Sequence, residues 1–461
     1  MSSSTADVVI CGAGIAGISA AYQLAVRQGI RDVVLVDERP PLSLTSDKST
    51  ECYRNWWPGP GQAMVGLMNR SIDLLEDLAE KSNNAFHMSR RGYLYVTADP
   101  ERIHVFEQAG LEAEALGAGK LRRHAGRRGE PPYLPSPPTG FRDLPDGADL
   151  ISSQALIHEH FPYLSHSTCA VLHARRCGWF SAQQLGAYLL EQARQHGVKL
   201  VQGRIDAVEV QGGRMAGVAI AGGQAQRHIA CPTFVAAAGP LIKHVVRMMG
   251  VELPVFCEYH TKIAFADRLG AVPRHAPLLI WTDPQQLPWS EDERLELAAD
   301  AKTAHLLGRF PSGVHTRPEG PDDSLIALIL WTYHTEPVEP VIPPPPSDPA
   351  YPEIAMRGLS SMLPAMQAYF ERPPRPIVDG GYYTKTAENR PLIGRLPVEG
   401  AYIIGALSGF GLMASQGAAD LLGRHIGGLQ LPAYAQAFSL DRYNDSEYQA
   451  LLENWGDSGQ L

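Results

Sequence analysis

The apolar positions of this 461-residue chain fall into segments of different rhythm. Unbroken runs such as "VVIC" (8–11) and "VVLVD" (33–37) have the length and β-branched content of strands buried on both faces, as in a parallel sheet. Between them, "ISAAYQLAVRQG" sets Ile18, Ala21, Tyr22, Leu24 and Ala25 near one face of a helix that Gly29 closes. The same grammar returns at the far end. "AYIIG" (401–405) is a strand, "ALSGFG" a glycine-rich turn, and "LMASQGAADLL" a helix-like run.

The middle of the chain reads differently. Residues 181–203 predict a helix ending at Gly197 and then a strand, followed by a hairpin turning at Gly212-Gly213. A further strand runs into Ala236, Ala237, Ala238 and Gly239 before a helix. Small residues there either let a ligand approach the backbone or make a tight turn. From 251 to about 374, long β runs ("TKIAFAD", "PLLIWTD", "LIALILWTYHTEP") alternate with proline-rich connections, among them the extended "VEPVIPPPPSDPAYPE". The expected fold class is α/β. A Rossmann-like domain is assembled from 1–90, 151–250 and 375–440, a second antiparallel β-sheet domain from 91–150 and 251–374, and a tail spans 441–461.

Composition narrows this picture. A net charge of -9 argues against nucleic acid as a partner. Six cysteines without a C-x-x-C pair read as free thiols in a reducing compartment. No apolar run reaches the ~20 residues of a membrane helix, and only six residues precede the first strand, too few for a signal peptide. A cytoplasmic protein is expected, with no metal site. The basic stretch 119–128 is either a solvated loop or a docking patch for an acidic partner.

The first corner carries specific chemistry. Gly12-x-Gly14-x-x-Gly17 follows a strand and opens a helix. The first glycine allows the tight turn, the second lets backbone approach a pyrophosphate, and the third lets helix and strand pack closely. Free N–H groups and the positive dipole end at the helix start suit phosphate, so Ala13, Ile15 and Ala16 belong to the same cradle. Asp37 lies 20 positions beyond Gly17, at the end of a strand, where an acid holds ribose hydroxyls. Glu38 is the alternative ribose ligand, and Arg39 adjoins both. No second such unit is found, so one dinucleotide in a flavoprotein is the economical reading.

The order of motifs then adds a family. The N-terminal fingerprint, "YHT" (333–335), "YTKT" (383–386) followed by "RPLIG", and "SGFG" (408–411) resemble the D-amino-acid oxidase superfamily of FAD enzymes, nearest the branch of monomeric sarcosine oxidase and glycine and dimethylglycine oxidoreductases. The resemblance implies an FAD domain of glutathione-reductase type, with the last glycine turn (Gly409, Phe410, Gly411, Leu412, Met413) set against the flavin ring. Its N–H groups would stabilise the anion of the reduced flavin. It also implies that Thr45, Ser46, Lys48, Ser49 and Thr50 wrap the flavin, with Ile205 a further cofactor contact. Arg54 reaches the flavin or a substrate carboxylate, or is a structural ion-pair partner, and Trp56 and Trp57 are packing residues.

Four departures from the family pattern shape the expectations. Gly381 stands where some relatives tether FAD through cysteine, and residues 44–57 hold no histidine, so FAD is expected to be non-covalent. Met413 and Leu330 replace two lysines of sarcosine oxidases. The first change suggests a larger or less acidic substrate, and the second weakens the case for oxygen over another electron carrier. The resemblance implies oxidation of the C–N bond of a secondary or N-methyl amine or amino acid by hydride transfer, giving an imine that water hydrolyses. His334, Tyr333, Tyr383 and Arg54 are the expected catalytic residues, with Tyr259 or His260 as further candidates, and Lys385 either surface-exposed or paired with a carboxylate. The alternatives are a flavoprotein with an assembly role, like the family's complex I assembly relative, and flavin oxidation of another small molecule in a biosynthetic pathway.

Overall fold

A computed structural model describes residues 3–57, 59–222 and 227–455. The end of the expected tail, 456–461, lies outside the described residues. Two large sheets organise the chain. The six-stranded sheet runs Lys199–Gln202, Val33–Asp37, Val8–Cys11, Thr233–Ala236, Ala401–Gly405 and Leu392–Arg395. Its first five strands are parallel and the last is antiparallel. Val8, Val9 and Ile10 are buried on both faces, which is why that strand shows no alternation in sequence.

Helix Ile15–Tyr22 crosses back over this sheet and continues through a widened turn, Gln23–Arg27. Its close approach depends on Gly17, where a Cβ would lie 1.8 Å from the Gly12 carbonyl oxygen. Helix Gly411–Ile426 packs beside it and against helix Ala63–Lys81. One apolar core, including Ile18, Leu24, Leu67, Met68, Ala418 and Leu421, joins the three helices.

The nine-stranded sheet is ordered Ile377–Lys385, Phe256–Ala266, Ile326–Leu330, His315–Pro318, Leu278–Trp281, Tyr93–Thr97, Ala170–Ala174, Ala148–Ile151, Leu121–His124. Its membership moves the expected boundaries. Strands Ala170–Ala174 and Ile377–Lys385 were assigned by sequence to the nucleotide-binding body, yet both hydrogen-bond into this second sheet. An apolar β run does not name its partner, so its spacing along the chain could not place it. The basic stretch also changes character: Leu121–His124 is an edge strand, with Arg122 paired to Asp149 and Arg123 to Glu107.

The long run ending in "WTYHTEP" leaves its sheet at Leu330. Trp331 turns inward, with its backbone N–H bonded to the Tyr351 hydroxyl at 2.9 Å, and the following prolines keep the chain irregular. At the C-terminal end, Arg442 is buried and donates through Nη2 to Glu388 at 2.6 Å, and the hydroxyls of Tyr443 and Tyr448 donate to the same carboxylate oxygen. The expected tail is therefore tied to the loop that follows strand Ile377–Lys385. Replacing Arg442 with Met should leave Glu388 buried without its cation and cost about 3–5 kcal/mol of stability, read as a lowered denaturation midpoint in urea.

Candidate functional site

Strand Thr233–Ala236 lies between Val8–Cys11 and Ala401–Gly405, and all three run parallel. Their carboxyl ends open on one edge, so both glycine corners face the same space with Ala237 and Ala238 between them. A cavity of about 420 Å³ occupies that edge. It is lined by Gly12, Gly14, Ile15 and Ala16 at one corner and by Gly409, Gly411 and Leu412 at the other. Asp37, Glu38, Arg39, Thr45, Ser46, Ser49, Ile205, Ala237, Ala238 and Gly239 complete the sequence-expected residues of its wall.

The cavity is held open by absent side chains. Gly12 has φ +112°, and a Cβ there would sit 2.4 Å from the Ala237 carbonyl oxygen. At the other corner, a Cβ on Gly409 would lie 2.3 Å from the Tyr383 ring. Ala406 and Ser408 hold φ of 51° and 47°, a conformation uncommon for non-glycine residues and concentrated at functional turns. The Ser408 N–H donates to the Thr384 carbonyl at 2.8 Å, which ties this turn to strand Ile377–Lys385. Among the described residues no side chain caps helix Gly411–Ile426, so its N-terminal dipole end is presented to the cavity.

Asp37 uses its two oxygens on the Ala13 and Arg39 amides, at 2.7 and 2.8 Å. It thus braces the first corner as well as lining the cavity. The Ser46 hydroxyl accepts from the Ile15 N–H at 2.9 Å. Ala13 and Gly17 are buried in the corner and do not line the cavity, and Lys48 pairs with Asp379 at 2.9 Å. Gly381, at the position of the family's tethering cysteine, has the Lys48 side chain 2.7 Å from where a Cβ would stand.

A second cavity of about 100 Å³ meets the first at Ser49, Tyr383, Ser408 and Gly409. Thr50, Arg54, Trp57, Leu330, Phe410 and Met413 line it, so the expected flavin contacts Thr50, Phe410 and Met413 face this smaller space. Arg54 is buried, with Nη1 donating to the Tyr95 hydroxyl at 3.1 Å and its guanidinium 4.4 Å from the Trp57 ring centre. No acid is among the described residues that line this cavity.

His334 and Tyr333 line neither cavity. His334 is exposed, 4.3 Å from the Tyr333 ring, and Tyr333 packs with Phe310, Trp331 and Tyr351. The cause is the early exit of their segment from the sheet. The histidines on the wall are His260 and His315, with Thr332 and Asn389 beside them. His260 stacks on Tyr383, with ring centres 4.1 Å apart. Burial pulls the His315 imidazole down to about 4, so it is neutral at physiological pH. The period-2 placement of Glu258 and His260 on one strand was a usable signal, and Asn389 stands between "YTKT" and "RPLIG". Nothing in the sequence singles out His315.

Comparison with known proteins decides the family. A model described as "FAD dependent oxidoreductase" (DAO) matches residues 7–424. The chain belongs to the DAO family of FAD-dependent oxidoreductases. The β subunit of sarcosine oxidase from Rhizobium meliloti (strain 1021) is 24% identical over 263 residues, which are 57% of this chain and 55% of that protein. The chain thus matches only about half the length of that curated relative. Solved structures of other proteins share the fold. L-proline dehydrogenase from P. horikoshii has a TM-score of 0.72 at 17% identity, covering 96% of this chain and 99% of that one. Glycine oxidase from Geobacillus kaustophilus has a TM-score of 0.70 at 15% identity, covering 95% and 98%.

The two-corner cavity fits the FAD of this family. It offers one phosphate-suited corner, one acid at a strand end, and a second helix start. Substituting Gly12 by Ala should abolish FAD retention, because both the required φ and the space are lost. The expected readout is purified protein without visible flavin absorbance, while the wild-type protein keeps it.

Proposed function

We propose that this oxidoreductase oxidises the C–N bond of a small amine that carries a carboxylate, such as an N-methyl or cyclic amino acid, to an imine that water hydrolyses. The observation that carries this reading is the small cavity itself, walled by the Arg54 guanidinium and aromatic rings and opening onto the larger one at Tyr383 and Gly409. A guanidinium in that wall suits a carboxylate, which it can hold through two parallel hydrogen bonds. A cavity of about 100 Å³ favours a molecule of few heavy atoms. Met413, which by sequence suggests a larger or less acidic substrate, is buried in this wall and narrows the case for a larger one. The names of the sarcosine, glycine and proline enzymes among the similar proteins support the same substrate class.

FAD, when bound non-covalently in the larger cavity, supplies the two-electron hydride acceptor. The chain's own residues have three tasks. Arg54 anchors the carboxylate. The aromatic walls Trp57, Tyr93, Tyr383 and Phe410 exclude water and disfavour the ammonium form of the amine. The junction at Tyr383 and Gly409 brings the substrate C–H up to the larger cavity. Leu330, apolar on the same wall, stands where sarcosine oxidases carry a lysine, which weakens the case for oxygen as the final acceptor.

The test is anaerobic mixing of the flavin-loaded protein with a panel of amines. Small N-methyl or cyclic amino acids should bleach the flavin band. Arg54→Met should raise the half-saturating concentration of these acids by about 10- to 100-fold, the value of roughly 1.5–3 kcal/mol for a charged hydrogen bond, with little effect on uncharged amines. Bleaching by uncharged amines alone, or by no amine, overturns the reading.

A further inference from the structure

Behind the smaller cavity lies a buried charged cluster that the proposed reaction has not yet used. Lys385 Nζ sits 3.0 and 3.1 Å from the two carboxylate oxygens of Glu258, and the two side chains are only 8% and 4% exposed. His260 Nε2 lies 2.8 Å from Glu258 Oε2, and His260 Nδ1 lies 2.9 Å from the Thr332 hydroxyl. Thr332 and His260 line the cavity; Glu258 and Lys385 stand behind them. Strand register makes this possible, since Phe256–Ala266 and Ile377–Lys385 are antiparallel neighbours that pair Phe256 with Lys385 and Glu258 with Tyr383.

The chemistry of these groups fixes the direction of each bond. Burial works against the Glu258 carboxylate, but hydrogen bonds from His260 and Lys385 outweigh it and hold the acid below its ordinary range. An ionised carboxylate only accepts, so His260 Nε2 carries a proton. In the neutral ring Nδ1 is then an acceptor, and the Thr332 hydroxyl must donate to it. The Thr332 oxygen is left with lone pairs for a donor in the cavity. A substrate ammonium can therefore give its proton to the Thr332 oxygen as the Thr332 proton passes to His260 Nδ1. The amine becomes neutral, the imidazole becomes imidazolium, and net charge is unchanged.

For this relay to work, His260 must rest neutral. Burial is the main influence that lowers its proton affinity; Glu258 raises it and Lys385 lowers it. The other groups facing the ring are Tyr383, stacked on it from the neighbouring strand, and His315 and Arg54 across the cavity. A Lys–Glu pair buried for stability alone is a poor device, since apolar residues of similar size often do as well.

We propose, on the amine-oxidation reading above, that Lys385 and Glu258 form a buried positioning couple that holds His260 as a neutral proton acceptor for the substrate ammonium, reached through Thr332. Glu258 sets the tautomer and steadies the imidazolium once formed. Lys385 offsets enough of the carboxylate charge that the imidazolium is not formed in advance.

Two variants move the device in opposite directions. In Lys385→Met the Glu258 charge is uncompensated, so the titration midpoint of His260, followed by NMR of labelled histidine and assigned with His260→Asn, should rise by about 1 pH unit or more. The acid limb of amine-dependent flavin reduction should rise with it. In Glu258→Gln the midpoint and the limb should both fall, and the plateau rate should drop. Lys385→Arg, which keeps the charge, should retain the wild-type limb and guards against a merely misfolded Met variant. Limbs that stay in place, or that move the same way in both variants while amines still reduce the flavin, overturn the couple alone. Absence of reduction by any amine overturns the underlying reading and the catalytic role together.

Discussion

One geometric constraint underlies the molecule: three strands with no sequence continuity must lie parallel and in register at their carboxyl ends. Val8–Cys11 and Ala401–Gly405 flank Thr233–Ala236, and the turns leaving all three converge on one cavity. Gly12 and Gly409 keep that convergence open, because a Cβ on either would meet the Ala237 backbone or the Tyr383 ring. Backbone amides and helix dipoles at such an edge act on a ligand without rearranging when it binds.

Among the described residues, the second sheet reaches the larger cavity through a single strand. Ile377–Lys385 belongs to the nine-stranded sheet, yet its Tyr383 lines both cavities and its Thr384 carbonyl holds the Ser408 turn. The same strand carries Lys385 to Glu258. The place where the nine-stranded sheet touches the Ser408 turn is thus also where the buried charges gather. Beyond it, the loop containing Asn389 is secured by the C-terminal segment through Arg442 and Glu388, so a wall of the small cavity depends on residues more than fifty positions away.

Much of the nucleotide half was legible from residue type and spacing. Local rules govern a glycine turn: a positive φ or a close backbone approach calls for glycine whatever the distant chain does. Gly12, Gly14, Gly409 and Gly411 accordingly line the cavity that their spacing indicated. The substrate side was read less well. "YHT" looked like the end of a buried strand, but the chain turns away at Trp331 and leaves His334 exposed. The wall is built instead by His260, His315 and Thr332, brought together by pairing between strands far apart in sequence.

The sequence by itself determined which corners could hold a dinucleotide, because turn geometry and helix-start chemistry are properties of a few consecutive residues. It also determined that Gly381 carries no tethering thiol. Only the tertiary structure decided which histidines line the smaller cavity, and that Lys385 is buried on Glu258 and not solvated. Those facts depend on strand register across the second sheet. A shift of one residue there would turn every side chain to the opposite face, and nothing in a one-dimensional pattern of apolar residues fixes which strands become neighbours.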